Sequence, residues 1–429
     1  MKFTAVGDAL IQQRIRPDYK GFDELVPYIM QGDARFFNLE TTLCAEGESF
    51  ASQFSGGTYL RADPGVLDDM KRFGFNITTF NNNHAMDFSY GGLLSTLKHL
   101  DQSGLAHTGV GTDLDKASSP VYLDTASGRV AMISVSFTFD PSMMAGRKTN
   151  IYPGRPGVNG MRLNTVVQVT KEDIEYIRDL EERVNLNAEE KDAIATGYAQ
   201  PLPPEIAKLG DITFTESDEV CKKVTVKDDD FARVQKAIEE AKGNSDYIMV
   251  SFHTHEMDAD DIEIATEFTV DFAHRCIDLG ANAVIGHGPH LLRAIEVYKD
   301  SPVFYSLGDF ILELYSVNSA PDDFYRKYGM TSDSSVYDLL KKRSKNFTIG
   351  LMEEKRMTRT VIPFWETEGG KLKTLRLLPV ELETDIERTK RGLPRKAQDT
   401  SFMDGLAKLS APFGVKIKAS EKGDFVCEW

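Results

Sequence analysis

The stretch 75-FNITTFNNNHAMDF-88 passes from a short apolar, β-branched run straight into three asparagines, a histidine and an aspartate. Its first six residues have the composition of a buried strand. A turn after such a strand needs only one Asn. A core strand that ends on Asn-Asn-Asn-His raises the question of what else this chain places at strand ends. That question decides the fold.

Working outward, residues 1–140 alternate strand-like and helix-like segments. The strand candidates are 2–6, 34–39, 75–80 and 129–137, and the helix candidates are 22–30, 64–73 and 91–104. The second helix starts on Asp63-Pro64, an N-cap followed by proline at the first helical position, and stops before Gly74. Such alternation predicts an α/β sheet with helices on both faces. From 141 to 243 the pattern changes. A Pro/Gly-rich loop, 152-YPGRPGVNG-160, leads into charged helical segments at 170–184 and 228–242. This reads as a helical insertion or lid. Alternation then resumes with strands at 246–255, 282–290 and 302–310 around a helix at 264–280. A helical stretch to about 345 follows, and then three strand-like runs at 347–353, 358–366 and 373–382. There is no internal repeat and no low-complexity tract.

Length and composition narrow the class. The chain has 429 residues, enough for one large domain or two ordinary ones, with 41% apolar and 27% charged residues. The net charge of −16 argues against nucleic acid or an anionic membrane surface as the main partner. It leaves a small anionic substrate open, because a local cation reverses the local field. Cys44, Cys221, Cys276 and Cys427 form no CxxC pair, so reduced structural thiols are expected. No stretch of about 18 apolar residues and no leader-like N-terminus occurs, and a cytoplasmic protein without a membrane segment is expected.

The polar residues at the carboxyl ends of the strand candidates are Asp8, Glu40, Asn83, His84, His253, His255, His287 and His290. In an open α/β sheet, ligands bind beyond those ends. Five of the eight histidines fall there. Each residue alone has a plain reading: Asp8 as a turn or helix cap, Glu40 as a solvated strand end, the histidines as satisfied and half-buried. Together they point to a metal site. Carboxylate, amide oxygen and imidazole suit borderline divalent ions such as Mn, Fe or Zn. Open positions on such ions activate water and polarise a substrate oxygen.

The set 7-GD-8, 38-NLE-40, 82-NNHAMDF-88, 253-HTHE-256, 286-GHGPHLLRAIEVY-298 and 305-YSLGDF-310 resembles the bacterial capsule-synthesis protein CapA family, also called the poly-γ-glutamate synthesis family. That family is similar to the calcineurin-like metallophosphoesterases. The motifs cover residues 1–310 in the family's order, and the tail, with 379-PVEL-382 and 392-GLP-394, resembles it more weakly. The resemblance implies a four-layer α/β sandwich of the metallophosphoesterase type over residues 1–312, with the insertion at about 141–243. Residues 313–429 would form a β-containing extension packed on the same domain.

It also implies roles. Asp8 binds the first metal and Glu40 bridges. Asn83, His253 and His287 hold the second metal, and His290 completes the first site. His84 is the general acid or transition-state stabiliser, with Asp87 as its orienting partner. One or two divalent ions (Mn, Zn, Fe or Ca) are expected. The chain departs from the superfamily's Asp-x-His start, since Leu10 stands where an imidazole is usual, and Glu40 replaces the usual bridging Asp. His255 either compensates on the first site or touches substrate. Asp309 stands where the family pattern usually has Asn, and its role is open. Arg155, Arg162 and Arg293 are candidates for a substrate carboxylate or phosphate, against the plain reading of solvated arginines.

Three functions follow from the resemblance. The first is a metal-dependent hydrolase of a phosphoester or of an amide in a polyanionic glutamyl peptide. The second is a capsule or poly-γ-glutamate protein that binds polymer without turnover. The third is a metal-dependent peptide epimerase, with His84 and His255 or His290 as bases.

Overall fold

The computed structural model describes residues 1–257 and 261–429. The chain forms two compact units: residues Met1–Met161 with Ala232–Trp429, and residues Arg162–Phe231.

The larger unit is mixed α/β and carries two large sheets. In the ten-stranded sheet, Lys2–Leu10 is the axis. It pairs in parallel with Ala34–Leu39, which pairs with Ile77–Thr79, which pairs with Ala106–Thr108. On its other side, Lys2–Thr4 meets the antiparallel strand Arg359–Glu368, while Asp8–Leu10 meets the parallel strand Asp309–Leu312. Arg359–Glu368 pairs along its length with Lys371–Leu382, so the last third of the chain extends this sheet. The six-stranded sheet has four parallel strands, Gly128–Ser136, Tyr247–His253, Ala283–His287 and Ser301–Phe304, edged by Val121–Thr125 and Ile295–Tyr298.

Alternation along the strands builds two cores. Phe3, Ala5 and Phe36 from the first sheet share one buried cluster with Met132, Tyr247, Met249 and Ile285 from the second. The ring of Phe3 stacks on Tyr247 at 4.1 Å and on Trp365 at 5.1 Å, and Trp365 Nε1 donates to Tyr247 Oη at 3.0 Å. The neighbours Val6, Phe37 and Leu39 point the other way, because successive strand side chains take opposite faces. They pack under Leu25 and Ile29 of helix Gly21–Ile29, Met70 of helix Val66–Arg72 and Leu93 and Leu100 of helix Ser89–Ser103. Full burial of each such side chain contributes roughly 1.5–3 kcal/mol, which makes both faces of the first strand expensive to alter.

Three readings of the sequence change. The run 302–310 is not one strand. Ser301–Phe304 belongs to the six-stranded sheet and Asp309–Leu312 to the ten-stranded one. The chain crosses between sheets at 305–308, where Gly308 adopts φ +67°, which favours glycine. The run 347–353 is not a strand either. Lys345, Asn346 and Phe347 all have positive φ, which no strand accommodates, and a short 3₁₀ turn, Leu351–Glu353, follows. The expected helical stretch before it is two short helices, Asp322–Lys327 and Val336–Arg343.

The smaller unit is not simply helical. Its strands run in the order Ile206–Leu209, Ile212–Glu216, Leu163–Val169, Cys221–Val226. Two helices, Lys171–Val184 and Ala188–Ala195, accompany them. The first opens on a Thr170–Asp173 capping box. Val169, Ile174, Ile177 and Ala207 form its small core. Its strands are partly exposed and rich in polar residues, so the charge of the segment obscured them. Residues 141–161 and 232–243, expected in the insertion, belong to the larger unit. Among the described residues, no helix is long and apolar enough to cross a membrane.

Candidate metal centre

The carboxyl ends of Lys2–Leu10, Ala34–Leu39 and Ile77–Thr79 in one sheet, and of Tyr247–His253 and Ala283–His287 in the other, deliver their polar residues to one place. Asp8 and Glu40 are fully buried, as are His253 and His287. His253 and His287 are direct cross-strand neighbours. Their Nδ1 atoms lie 3.0 Å apart, and His287 Nδ1 lies 3.3 Å from Asp8 Oδ1. Ser251 Oγ meets the other ring nitrogen of His287 at 2.7 Å. On its Nε2 side, His253 faces Asn83 Oδ1 at 2.7 Å, His255 Nε2 at 3.2 Å and Glu40 Oε1 at 3.6 Å.

Asp8 is held from two directions. Asn38 Nδ2 donates to its Oδ1 at 2.7 Å, and the backbone N–H of Gly288 donates to its Oδ2 at 2.8 Å. Gly288 has φ +117°, and a Cβ there would sit 2.5 Å from the carbonyl oxygen of Thr254, so only glycine brings that N–H so close. Two residues on, His290 has φ +62°, a backbone conformation that costs a non-glycine residue of order 1–3 kcal/mol and tends to mark functional sites. Its Nδ1 donates to Asp309 Oδ1 at 2.9 Å.

The asparagines of the opening stretch divide the work. Asn83 faces His253. Asn82 donates through Nδ2 to the carbonyl of Leu39 at 2.8 Å and accepts from the N–H of His84 at 3.1 Å, locking the loop. Asn81 Nδ2 donates to the carbonyl of Asn159 at 3.4 Å. His84 Nδ1 lies 2.7 Å from Asp87 Oδ2. Asp87 in turn accepts from the N–H groups of Gly56 at 3.0 Å and Leu60 at 2.8 Å, so its carboxylate is fixed before it meets the imidazole. The remaining nitrogen of His84 sits 3.9 Å from Glu40 Oε1.

Electrostatics separate the groups. Burial drives His253 and His255 well below the usual imidazole value and His287 down to about 3, so these rings are neutral and offer lone pairs. Burial, then the charge of Asp309, raises Asp8 to about 7. Burial, then Asp8 and Asp309, raises Glu40 well above the carboxylate range. Asp309 is raised by burial against the pull of His290. Burial pulls His290 down, but the charge and hydrogen bond of Asp309 outweigh it, and the ring ends above its usual value. Both Glu40 oxygens and Asp309 Oδ2 are buried with no hydrogen-bond donor among the described residues. A buried carboxylate without a donor is costly, and a cation removes that cost. Neutral imidazoles, an amide oxygen and donor-free carboxylates therefore fit a divalent metal. Three sets bring one donor atom from each member within 4.8 Å of the others: Asp8, His253 and His287; Glu40, His253 and His255; and Asp8, Glu40, His290 and Asp309.

A cavity of about 460 Å³ opens on this centre, lined by Phe54, Ser55, Gly56, Asn83, Thr138, Phe139, Asp140, Met143 and His255. The candidate arginines lie elsewhere. Arg155 is exposed and donates to the carbonyl of Met144. Arg162 closes its guanidinium fork on Asp230 at 2.8 and 2.9 Å. Arg293 is fully buried and donates to the carbonyls of Ile262 and Glu256. None lines the cavity. Leu10 faces an apolar cluster with Leu60, Leu312, Leu314, Met352 and Leu382 rather than the centre. Sequence reasoning missed Asn38 and Ser251, which orient a carboxylate and an imidazole. Asn38 stood in the quoted 38-NLE-40, but nothing in the sequence showed that it lies beside Asp8.

A mixed α/β body with acidic and imidazole groups able to hold a metal is the class that fold and site define. The chain belongs to the family of the bacterial capsule synthesis protein PGA_cap, whose model matches residues 2–313. It is 31% identical to "Uncharacterized protein y4sH" of Sinorhizobium fredii, over 98% of this chain and 91% of that protein. It is 22% identical to "Capsule biosynthesis protein CapA" of Bacillus anthracis, over 73% of this chain and 60% of that protein. It is 26% identical to a "Probable polyglutamine synthesis accessory protein" of Mycobacterium tuberculosis, over 65% of this chain and 55% of that protein.

Proposed function

We propose that the chain is a metal-dependent hydrolase of the metallophosphoesterase type. It would act on a phosphoester or on an amide of a glutamyl peptide, in the context of capsule or polyglutamate synthesis. The observation that carries this reading is the buried carboxylate of Glu40, without a donor among the described residues and clustered with His253 and His255, beside an open cavity that Asn83 and His255 line. The packing of helices on the ten-stranded sheet, of that sheet on the six-stranded one, and of Phe272 in helix Glu267–Asp278 on Phe252 of the six-stranded sheet supports a four-layer sandwich of that type.

Asp8, Glu40, Asn83, His253, His287 and His290 are the residues that would hold the ions. When bound, such ions lower the pKa of water and polarise a substrate oxygen. The protein's own part is positional. Asp87 fixes one nitrogen of His84, which leaves the other free to hand a proton to a leaving group at the mouth of the site. Asn38 and Gly288 hold Asp8 still. Among the described residues, no lysine or arginine lines the cavity, so recognition of an anionic substrate would fall to the ions themselves.

A second reading, participation in polymer synthesis by binding without turnover, is favoured by the names of the CapA and mycobacterial relatives. One experiment separates the readings. Protein reconstituted with Mn²⁺, Zn²⁺ or Ca²⁺ is offered a phosphomonoester, a phosphodiester and a glutamyl peptide, beside Asn83→Ala. Metal-dependent turnover lost in the variant supports the hydrolase. Retention of poly-γ-glutamate without cleavage supports the binding role. Deuterium uptake without bond cleavage would instead point to epimerisation.

A further inference from the structure

Asp309 has no role in the reading above, yet it is among the most constrained groups in the molecule. It begins Asp309–Leu312, which leaves the six-stranded side of the chain at 305–308 and joins the ten-stranded sheet. Its Cα partner across the parallel ladder is Asp8 itself. The two strands are pressed together there. The N–H of Asp8 donates to the carbonyl of Gly308 at 2.9 Å, and a Cβ on Gly7 would fall 1.8 Å from that same oxygen. The ladder therefore fixes two carboxyl groups side by side, both buried. One Asp309 oxygen accepts from His290 Nδ1. The other, Oδ2, has no donor among the described residues. One oxygen of Asp309 lies within 4.8 Å of one donor atom each of Asp8, Glu40 and His290.

A carboxylate whose only task was to orient His290 would use one oxygen and let the second find a donor or water. Here the second is buried without a donor, in a residue clustered with two further carboxyl groups. Such a cluster can ionise only around positive charge. We propose that Asp309 is itself an ion ligand. It would complete the position formed by Asp8, Glu40 and His290 in place of an imidazole, and this position would take a hard, oxygen-preferring ion such as Mn²⁺ or Ca²⁺. Three carboxylates and one imidazole are the donor set of such ions, while Asn83 with His253, His255 and His287 matches a borderline ion such as Zn²⁺. The residue that makes good the absent imidazole at Leu10 is then Asp309. His255 belongs with Glu40 and His253. This inference rests on the proposed metal site and deepens it.

The test is ion binding by the full chain after chelator treatment, followed calorimetrically and by elemental analysis with Zn²⁺ and Mn²⁺ alone as probes. Asp309→Asn preserves an acceptor for His290 Nδ1 but removes the charge. Losing a group that merely supports a ligand costs about 10–100-fold in metal affinity. The expected result is two ions on the wild type. In Asp309→Asn one ion stays unchanged and the other is weakened by more than about 100-fold. Two ions on the variant within about threefold of wild type would overturn the assignment and leave Asp309 as a positioning residue for His290. No ion on the wild type would sink the metal reading as a whole, which is a distinguishable failure. Should Asp309→Asn not fold, the wild type alone decides. After one equivalent of Zn²⁺, a second position that binds Mn²⁺ and releases it to Ca²⁺ supports the proposal. A second position indifferent to Ca²⁺ refutes it.

Discussion

On one side of the candidate centre stand His253, His255 and His287 with Asn83. On the other stand Asp8, Glu40, Asp309 and His290. Both sides are buried, and burial does opposite things to them. It strips protons from the imidazoles, which become neutral ligands waiting for a cation. It holds protons on the carboxylates, which must lose them before a cation can enter. The same desolvation thus prepares one side and closes the other. A strand-end polar cluster is therefore not one site with eight interchangeable ligands. On the proposed reading it would be two half-sites joined through Asp8 and Glu40, each of which shares a donor set with either side, and those two residues are where the comparison is most easily broken.

The largest effect is expected at the joint. Glu40 lies in two of the three donor sets, one on each side, so Glu40→Ala should abolish metal-dependent turnover and cost at least about 100-fold in affinity for each ion, read by calorimetry. An unchanged second ion would show that the two sides are independent. Next comes a residue that belongs to neither side. His84→Ala should lower kcat by about 10²–10⁴ with ion content unchanged, because it removes proton transfer and not a ligand. Loss of an ion in that variant would move His84 into the ligand set.

Leu10→His tests whether the expected imidazole of the first strand can simply be restored. Leu10 is buried among Leu60, Leu312 and Met352, so the new ring should enter an apolar cluster. The cost should be roughly 2–4 kcal/mol in denaturant stability, with no gain in ion affinity. Tighter ion binding would show that the strand can turn that position toward the centre.

The smallest effect sharpens the comparison through pH. Asp8 is raised to about 7 in the ion-free fold. Its contribution to ion-free stability is therefore present below its ordinary carboxylate value and is lost as pH rises through about 7. An ion must displace that proton. Affinity on the carboxylate side should rise by at least about tenfold per pH unit up to about pH 7. The imidazole side, whose rings are already neutral and whose donor sets hold one carboxyl group each, should rise less steeply from about pH 5 to about pH 8. Thermal shifts with Mn²⁺ and with Zn²⁺ across that range would check it, and identical pH profiles for the two ions would contradict the division.

Much of this was legible in the chain. The strands that carry Asp8, Glu40, Asn83, His253 and His287 are short, apolar and β-branched, flanked by helices with clear stops, and their polar ends stand out against them. The contact of Asp87 with His84, expected from the resemblance, spans only three residues. Less legible were the strands of residues 162–231, whose partly exposed, polar-rich sequence resembles a charged helical segment. The run 302–310 was misread for a different reason: its apolar pattern is continuous while its strands belong to different sheets.

What the sequence by itself determined is the set of side chains available at the strand ends, because period-two burial and glycine or proline punctuation are local properties. What only the tertiary structure decided is which of them meet. The pairing of Asp8 with Asp309 across a parallel ladder joins residues 301 positions apart, and the apolar setting of Leu10 depends on packing from strands that far away. Arg162 and Arg293 are the converse case. Their charge suggests a substrate, and only the fold shows them closed on Asp230 and on backbone carbonyls. Chemistry at a site is set by distances between donors, and no local pattern encodes a distance that long-range packing creates.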